Sequence, residues 1–177
     1  MFVCVKVRLV LGALLVAGPI TAQDSAPFRG ADHERHNNQP TVALSDPLRA
    51  HLRNERLDRV TSIRGLPLGV RNGLQTLFDS DMLDIAEPGA DFQIFAVVGD
   101  SKLPIRRLVA AGCSIDHCLV YYERAGSAPT WHVALFHWTP DATRFESGGL
   151  APARLATIGD ARNALLTGTL KDSTKRW

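Results

Sequence analysis

The sequence holds no apolar run near the roughly 20 residues that a membrane-spanning helix requires. The apolar run nearest the start, Leu9 to Ala17, has nine residues. Cysteine is scarce, with three in 177 residues. No C-x-x-C pair occurs, which removes the commonest redox motif. No G-x-S-x-G, no H-E-x-x-H and no glycine-rich phosphate loop is present, so the usual signatures of hydrolases, metalloproteases and nucleotide binding are missing. Repeats and low-complexity tracts are also missing. Excess charge is small: the formal +2 comes from Lys6 and Arg8, in a stretch of 22 residues without an acid. The rest carries 18 cations and 18 acids. A neutral domain has no bulk electrostatic reason to bind nucleic acid or an anionic membrane.

What is present is ordinary globular material, 45% hydrophobic and 21% charged, which argues against disorder of the whole chain, collagen and coiled coil. The length suits a single domain. Residues 1–22 begin with Lys6 and Arg8, continue through the Leu9–Ala17 run, break at Gly18-Pro19 and end on Thr21-Ala22. That layout predicts a secretory signal cut near Ala22, hence a periplasmic protein with no stable membrane insertion after cleavage. Cys4 would leave with the signal, and Cys113 and Cys118 would remain in an oxidising compartment, where they should pair. Closing so short a ring is worth about 2 kcal/mol in the loop-entropy model, so the bond shapes a local loop more than it staples a domain. Two cysteines make at most half a zinc site, and no cofactor or metal is expected.

Residues 23–46 are polar and rich in turn formers, which predicts a flexible N-terminal arm ahead of one domain over 47–177. Ser45 or Asp46 can cap a helix with Pro47 at its first position. Leu48, Leu52, Leu57, Val60 and Ile63 then suggest an amphipathic helix over 47–62. Residues 64–78 read as a looser helix containing Gly69 and Gly73. β-rich runs follow at 92–100, 103–111, 118–124 and 130–138, joined by short turns, so neighbours should pair antiparallel. The cysteine ring falls at the tip of one hairpin. Residues 150–158 read as a loop and 159–168 as a short helix, with Asp160 as the cap candidate. The predicted fold is α+β, an antiparallel meander packed against helices.

Chemistry-bearing residues are few. His33 and His36 fall in the arm. His132 and His137 lie an odd distance apart on one strand, point to opposite faces and suit packing or the surface. Asp81, Asp84 and Glu87 are read as solvated loop acids rather than a cation site. Arg106 and Arg107 alternate faces, so at most one is buried, and a surface role is expected. Tyr121-Tyr122-Glu123-Arg124 is a candidate protein-facing surface. That leaves the loop Ser114-Ile115-Asp116-His117, tethered at both ends by Cys113 and Cys118. A short rigid loop costs little entropy to order in a complex.

The segments Val97-Val98-Gly99-Asp100, Leu108 to Cys113 and His117-Cys118, with Ala164 to Leu170 near the end, resemble the Ivy family of periplasmic inhibitors of vertebrate (c-type) lysozyme. The resemblance covers roughly residues 90–172. It implies that the cysteine loop enters the lysozyme cleft and that its His meets the catalytic carboxylates. The family loop reads C-K-P-H-D-C; here Ser114-Ile115 replace Lys-Pro, and Asp116 precedes His117. A lysozyme cleft pairs an uncharged carboxylic acid with an ionised carboxylate, both within reach of an imidazole donor. The expectation is therefore an inhibitor without catalysis of its own, its loop residues Ser114, Ile115, Asp116 and His117 plugging a c-type lysozyme or related muramidase. Two alternatives stay open: a non-inhibitory periplasmic binding module, and a hydrolase using His117 with Asp116. Nothing in the composition decides between a monomer and a homodimer.

Overall fold

In the computed structural model, residues 43–94, 102–173 and 177 are described, and all of them fall in one compact unit. The predicted signal, most of the predicted arm, residues 95–101 of the first predicted strand and its turn, and the Val97–Asp100 segment lie outside the described residues.

The sheet has five antiparallel strands in sequential order: β1 (Asp58–Val60), β2 (Arg106–Cys113), β3 (His117–Arg124), β4 (Thr130–Trp138) and β5 (Thr143–Leu150). Helices α1 (Asp46–Asn54), α2 (Leu68–Leu77) and α3 (Ile158–Thr167) complete an α+β fold. Side chains alternate across a strand, and the core divides accordingly. Val120, Tyr122, Ala134 and Phe136 pack with Val70, Leu74 and Leu77 of α2. Leu119, Tyr121, Val133 and Leu135 pack with Leu52 of α1 and with Ala161 and Leu165 of α3. Antiparallel sheets often leave one face wet; here helices cover both faces of the central strands.

Capping fixes the helix starts. The Ser45 hydroxyl accepts the Leu48 N–H at 3.4 Å, with Pro47 in the first turn. Leu44, near the end of the predicted arm, is already buried in the core. In α3 the cap is Thr157 rather than Asp160. Asp160 sits at the third position of a capping box and accepts the Thr157 N–H at 2.9 Å. Gly168 ends the helix in the left-handed region at φ 68°.

Two sequence expectations change. The helix predicted to reach residue 62 stops at Asn54, and Glu55 turns extended. The apolar spacing explains it: Leu48 and Leu52 are four apart, but the next apolar residue, Leu57, is five further on and leaves the stripe. The chain instead forms β1, an edge strand with Asp58 opposite Cys113 and Val60 opposite Ala111. Strand β5 was not anticipated, because TRFESGGL alternates poorly. Gly148 fits where an added Cβ would lie 2.3 Å from the Val133 carbonyl oxygen.

The glycines of α2 have a packing reason. A Cβ on Gly73 would lie 2.8 Å from the ring of fully buried Phe136. Gly73→Ala is therefore expected to destabilise the protein. Overpacking against a rigid core ring costs about 1–3 kcal/mol, which exceeds the gain in helix propensity of about 1 kcal/mol. Chemical denaturation of the two proteins side by side checks this, and a stabilised Ala variant would refute the packing argument.

Candidate functional site

The β2–β3 hairpin ends in the disulfide between Cys113 and Cys118, which face each other in the ladder. Ser114 stitches the enclosed loop. Its hydroxyl accepts the His117 N–H at 2.9 Å and the Asp116 N–H at 3.3 Å. Its own N–H donates to the His117 carbonyl at 2.7 Å. The Asp116 carbonyl accepts the Trp138 N–H at 2.9 Å, which ties the loop to the end of β4. The result is a fixed tip with Ile115 at its apex, 88% exposed.

His117 does not protrude. It is the first residue of β3 and shares parity with Leu119 and Tyr121, so its ring turns to the face covered by α1 and α3 and is only 4% exposed. The outward imidazole implied by the family resemblance is thus not what the structure has. The Nδ1 atom lies 3.1 Å from Asp116 Oδ1 and 3.4 Å from the Glu55 carboxylate. His51 Nε2, from the last turn of α1, lies 3.6 Å from both Glu55 Oε2 and Asp116 Oδ2. The His117 and His51 ring centres are 5.2 Å apart, and His137, paired with His117 across β3–β4, packs edge-on at 5.4 Å. Partial desolvation pushes the Asp116 carboxyl up. Hydrogen bonding with Glu55 and the charge and hydrogen bond of His117 outweigh this and hold it down at about 2. Asp116 is therefore ionised at neutral pH.

The sequence singled out Asp116 and His117 but neither His51 nor Glu55. Their signal was the helical spacing of four in His51-Leu-Arg-Asn-Glu55, which places both side chains on one face at the helix end.

Other candidates resolve differently. Arg106, expected at the surface, is buried. It donates to Asp84 Oδ2 at 2.7 Å and to the Trp177 carbonyl at 2.6 Å, and stacks 4.0 Å over the Phe78 ring. Burial of its guanidinium is offset by hydrogen-bonded partners. Asp84 and Glu87 are engaged rather than merely solvated: Asp84 also accepts the Ile105 N–H at 3.0 Å, and Glu87 accepts the Ile63 N–H at 2.8 Å. Tyr121 and Tyr122, offered as a protein-facing surface, have no exposure and belong to the two cores. His132 and His137 do point to opposite faces.

His132 lines a cavity of about 350 Å³ with Arg124, Thr130 and Ser173. Its ring nitrogens contact Thr130 Oγ1 at 2.9 Å and Ser173 Oγ at 3.2 Å, and its ring stacks on Tyr122. The pairing looks like a base beside a hydroxyl nucleophile. Burial, helped by the charges of Arg124 and Arg106, pushes the imidazole down to about 3, which leaves it too weak a base to draw a proton from serine at neutral pH. No helix among the described residues is long and apolar enough to cross a membrane. The chain matches no protein-family model, no curated protein and no solved structure.

His132 has a measurable consequence. Unfolded, it binds a proton near its ordinary value of 6.5; folded, it resists protonation down to about 3. Acid therefore favours the unfolded chain. Below pH 6.5 this residue should remove stability at up to about 1.4 kcal/mol per pH unit. His132→Gln should flatten the stability profile between pH 6 and 4, whatever its effect at pH 7. Denaturation midpoints across that range test this, and an unchanged slope would contradict a neutral buried imidazole.

Proposed function

We propose that the protein is an exported, periplasmic inhibitor of a c-type lysozyme or related muramidase, docking through its disulfide-closed hairpin tip. The observation that carries this reading is Ile115: a large apolar side chain almost wholly exposed at the apex of a loop held by a disulfide, a serine stitch and a backbone bond to β4. Such a tip is preorganised, so a partner spends little entropy on ordering it. The likeness of the surrounding segments to the Ivy family supplies the partner class. Exposed Arg59 sits opposite Gly112 at the base of the tip, and exposed Arg56 is nearby in the chain, which suits an acidic cleft. In this reading Ile115 leads into the cleft. His117 acts from beneath, setting the loop shape through its contacts with Asp116 and Glu55.

A second reading has its own support. The ionised Asp116 carboxylate, about one-third exposed beside the apex, would repel the ionised carboxylate of a lysozyme cleft. This favours a non-inhibitory binding module whose partner offers a cation. One assay separates the two. Lysis of bacterial cell walls by lysozyme should slow in the presence of the oxidised protein at micromolar excess, and Ile115→Asp should abolish most of that effect. Asp116→Asn should strengthen inhibition if the carboxylate opposes docking. Undiminished lysis rejects the inhibitor reading and leaves the binding module, for which capture from envelope extract through the wild-type tip but not the Ile115→Asp tip is the expected result.

A further inference from the structure

Beneath the tip, two segments bring together two imidazoles and two carboxylates. One donor atom from each of His51, Glu55, Asp116 and His117 can be chosen so that all four lie within 4.8 Å of one another. We propose that these four side chains form a binding site for a divalent transition-metal ion, with zinc the best match.

The distances fit. Zinc bonds of about 2.0–2.2 Å to nitrogen and oxygen, arranged tetrahedrally, separate the ligand atoms by about 3.3–3.6 Å. With Asp116 Oδ2 as its donor atom, three of the six separations are 3.6, 3.6 and 3.4 Å. The donor set fits as well. Two neutral imidazoles and two carboxylates balance a dipositive ion. Imidazole nitrogen selects zinc, copper or nickel over magnesium and calcium, which take oxygen ligands. Tetrahedral spacing favours zinc over tetragonal copper(II).

A separate observation points to a missing partner. The Glu55 side chain is 93% buried, and its Oε2 makes no hydrogen bond. That oxygen faces His51 Nε2 at 3.6 Å and His117 Nδ1 at 3.4 Å. A single N–H on His117 Nδ1 cannot satisfy Asp116 Oδ1, Glu55 Oε1 and Glu55 Oε2 together. A buried carboxylate oxygen without a hydrogen bond is costly, whereas buried polar atoms are normally satisfied. A cation at the centre satisfies it and both imidazoles at once. Asp116 and His117 are pinned by the disulfide ring, and Glu55 caps α1, so the ion would join the helix end to the hairpin tip. This site does not depend on the identity of any protein partner.

The test is calorimetric titration of the oxidised full-length chain, stripped with chelator, with zinc sulfate. His33 and His36 are replaced by Ala throughout so that the N-terminal imidazoles do not contribute. One zinc per chain is expected, with a rise in Tm on binding. His51→Ala and Asp116→Asn should each weaken binding by at least about tenfold. Both residues are partly exposed, so these variants keep the fold, which circular dichroism verifies. Calcium and magnesium should not compete. Zinc binding that is absent, that survives both substitutions unchanged, or that calcium displaces at similar concentration would overturn the proposal.

Discussion

Cys118 to Tyr122 of β3 have almost no contact with solvent, and they point alternately to the two faces of the sheet. A strand buried on both sides cannot be completed by a single helical layer. Helix α2 must cover one face and α1 with α3 the other. Gly73 lets α2 approach Phe136 closely, Gly69 lets it approach Thr143, and Thr157, Asp160 and Gly168 set α3 to the right length. The two tyrosines add large areas: Tyr122 stacks on His132 and meets Phe78 edge-on, and the Tyr121 hydroxyl accepts the Leu155 N–H at 2.8 Å. Each buried aromatic contributes more apolar area than an aliphatic residue would, and edge or stacked ring contacts add about 0.5–1.5 kcal/mol each.

The same alternation decides the site. Once Leu119 and Tyr121 face α1 and α3, His117 must face them too, since it is two residues before Leu119 on a regular strand. The ring lands where α1 ends, and the polar residues His51 and Glu55 sit there because the apolar stripe of α1 has just run out. Burying an imidazole against carboxylates is tolerable only when opposite charge or a metal accompanies it. The disulfide keeps Asp116 and His117 at the rim of this pocket, while Ile115, between Ser114 and Asp116, has no surface to pack against and stays in solvent.

Much of this was legible in the residues. The runs CLVYYER and TWHVALFHW mark β3 and β4 closely, because β-branched and aromatic residues dominate them, and the cysteine spacing marks the hairpin tip. The start of α1 was legible from Ser45 and Pro47. What escaped were features that depend on long-range contact. Edge strand β1 exists because β2 offers it a ladder, not because Asp-Arg-Val favours extension. β5 is built around Gly148, whose value lies in close approach rather than propensity. The inward turn of His117 was illegible because β3 is apolar at both parities, so alternation carries no sign of which face is the surface. His51 and Glu55 escape for a different reason: a His and a Glu four apart on a polar helix end look like a solvated pair until the hairpin tip is brought against them.

The energetics of the tip bound what a partner must supply. Fully burying one isoleucine side chain yields about 1.5–3 kcal/mol, while micromolar binding needs about 8 kcal/mol. Ile115 can set the register of a complex, but it cannot hold one alone. The remainder has to come from the surface around the hairpin base. Arg56 there pairs with Asp58, and both side chains are largely exposed, so that pair contributes little and gives way to a better acceptor. Arg59 on the β1 edge is likewise exposed. An apolar apex flanked by loosely held guanidinium groups would suit the acidic cleft of the proposed partner. Asp58 and Asp116 carry the opposite sign on that surface, and Asp116 lies nearer the apex. Its contacts with Ser114 and His117, as well as its exposure, bear on how much it would resist such a fit, because a carboxylate already engaged in hydrogen bonds presents less charge to whatever the apex enters.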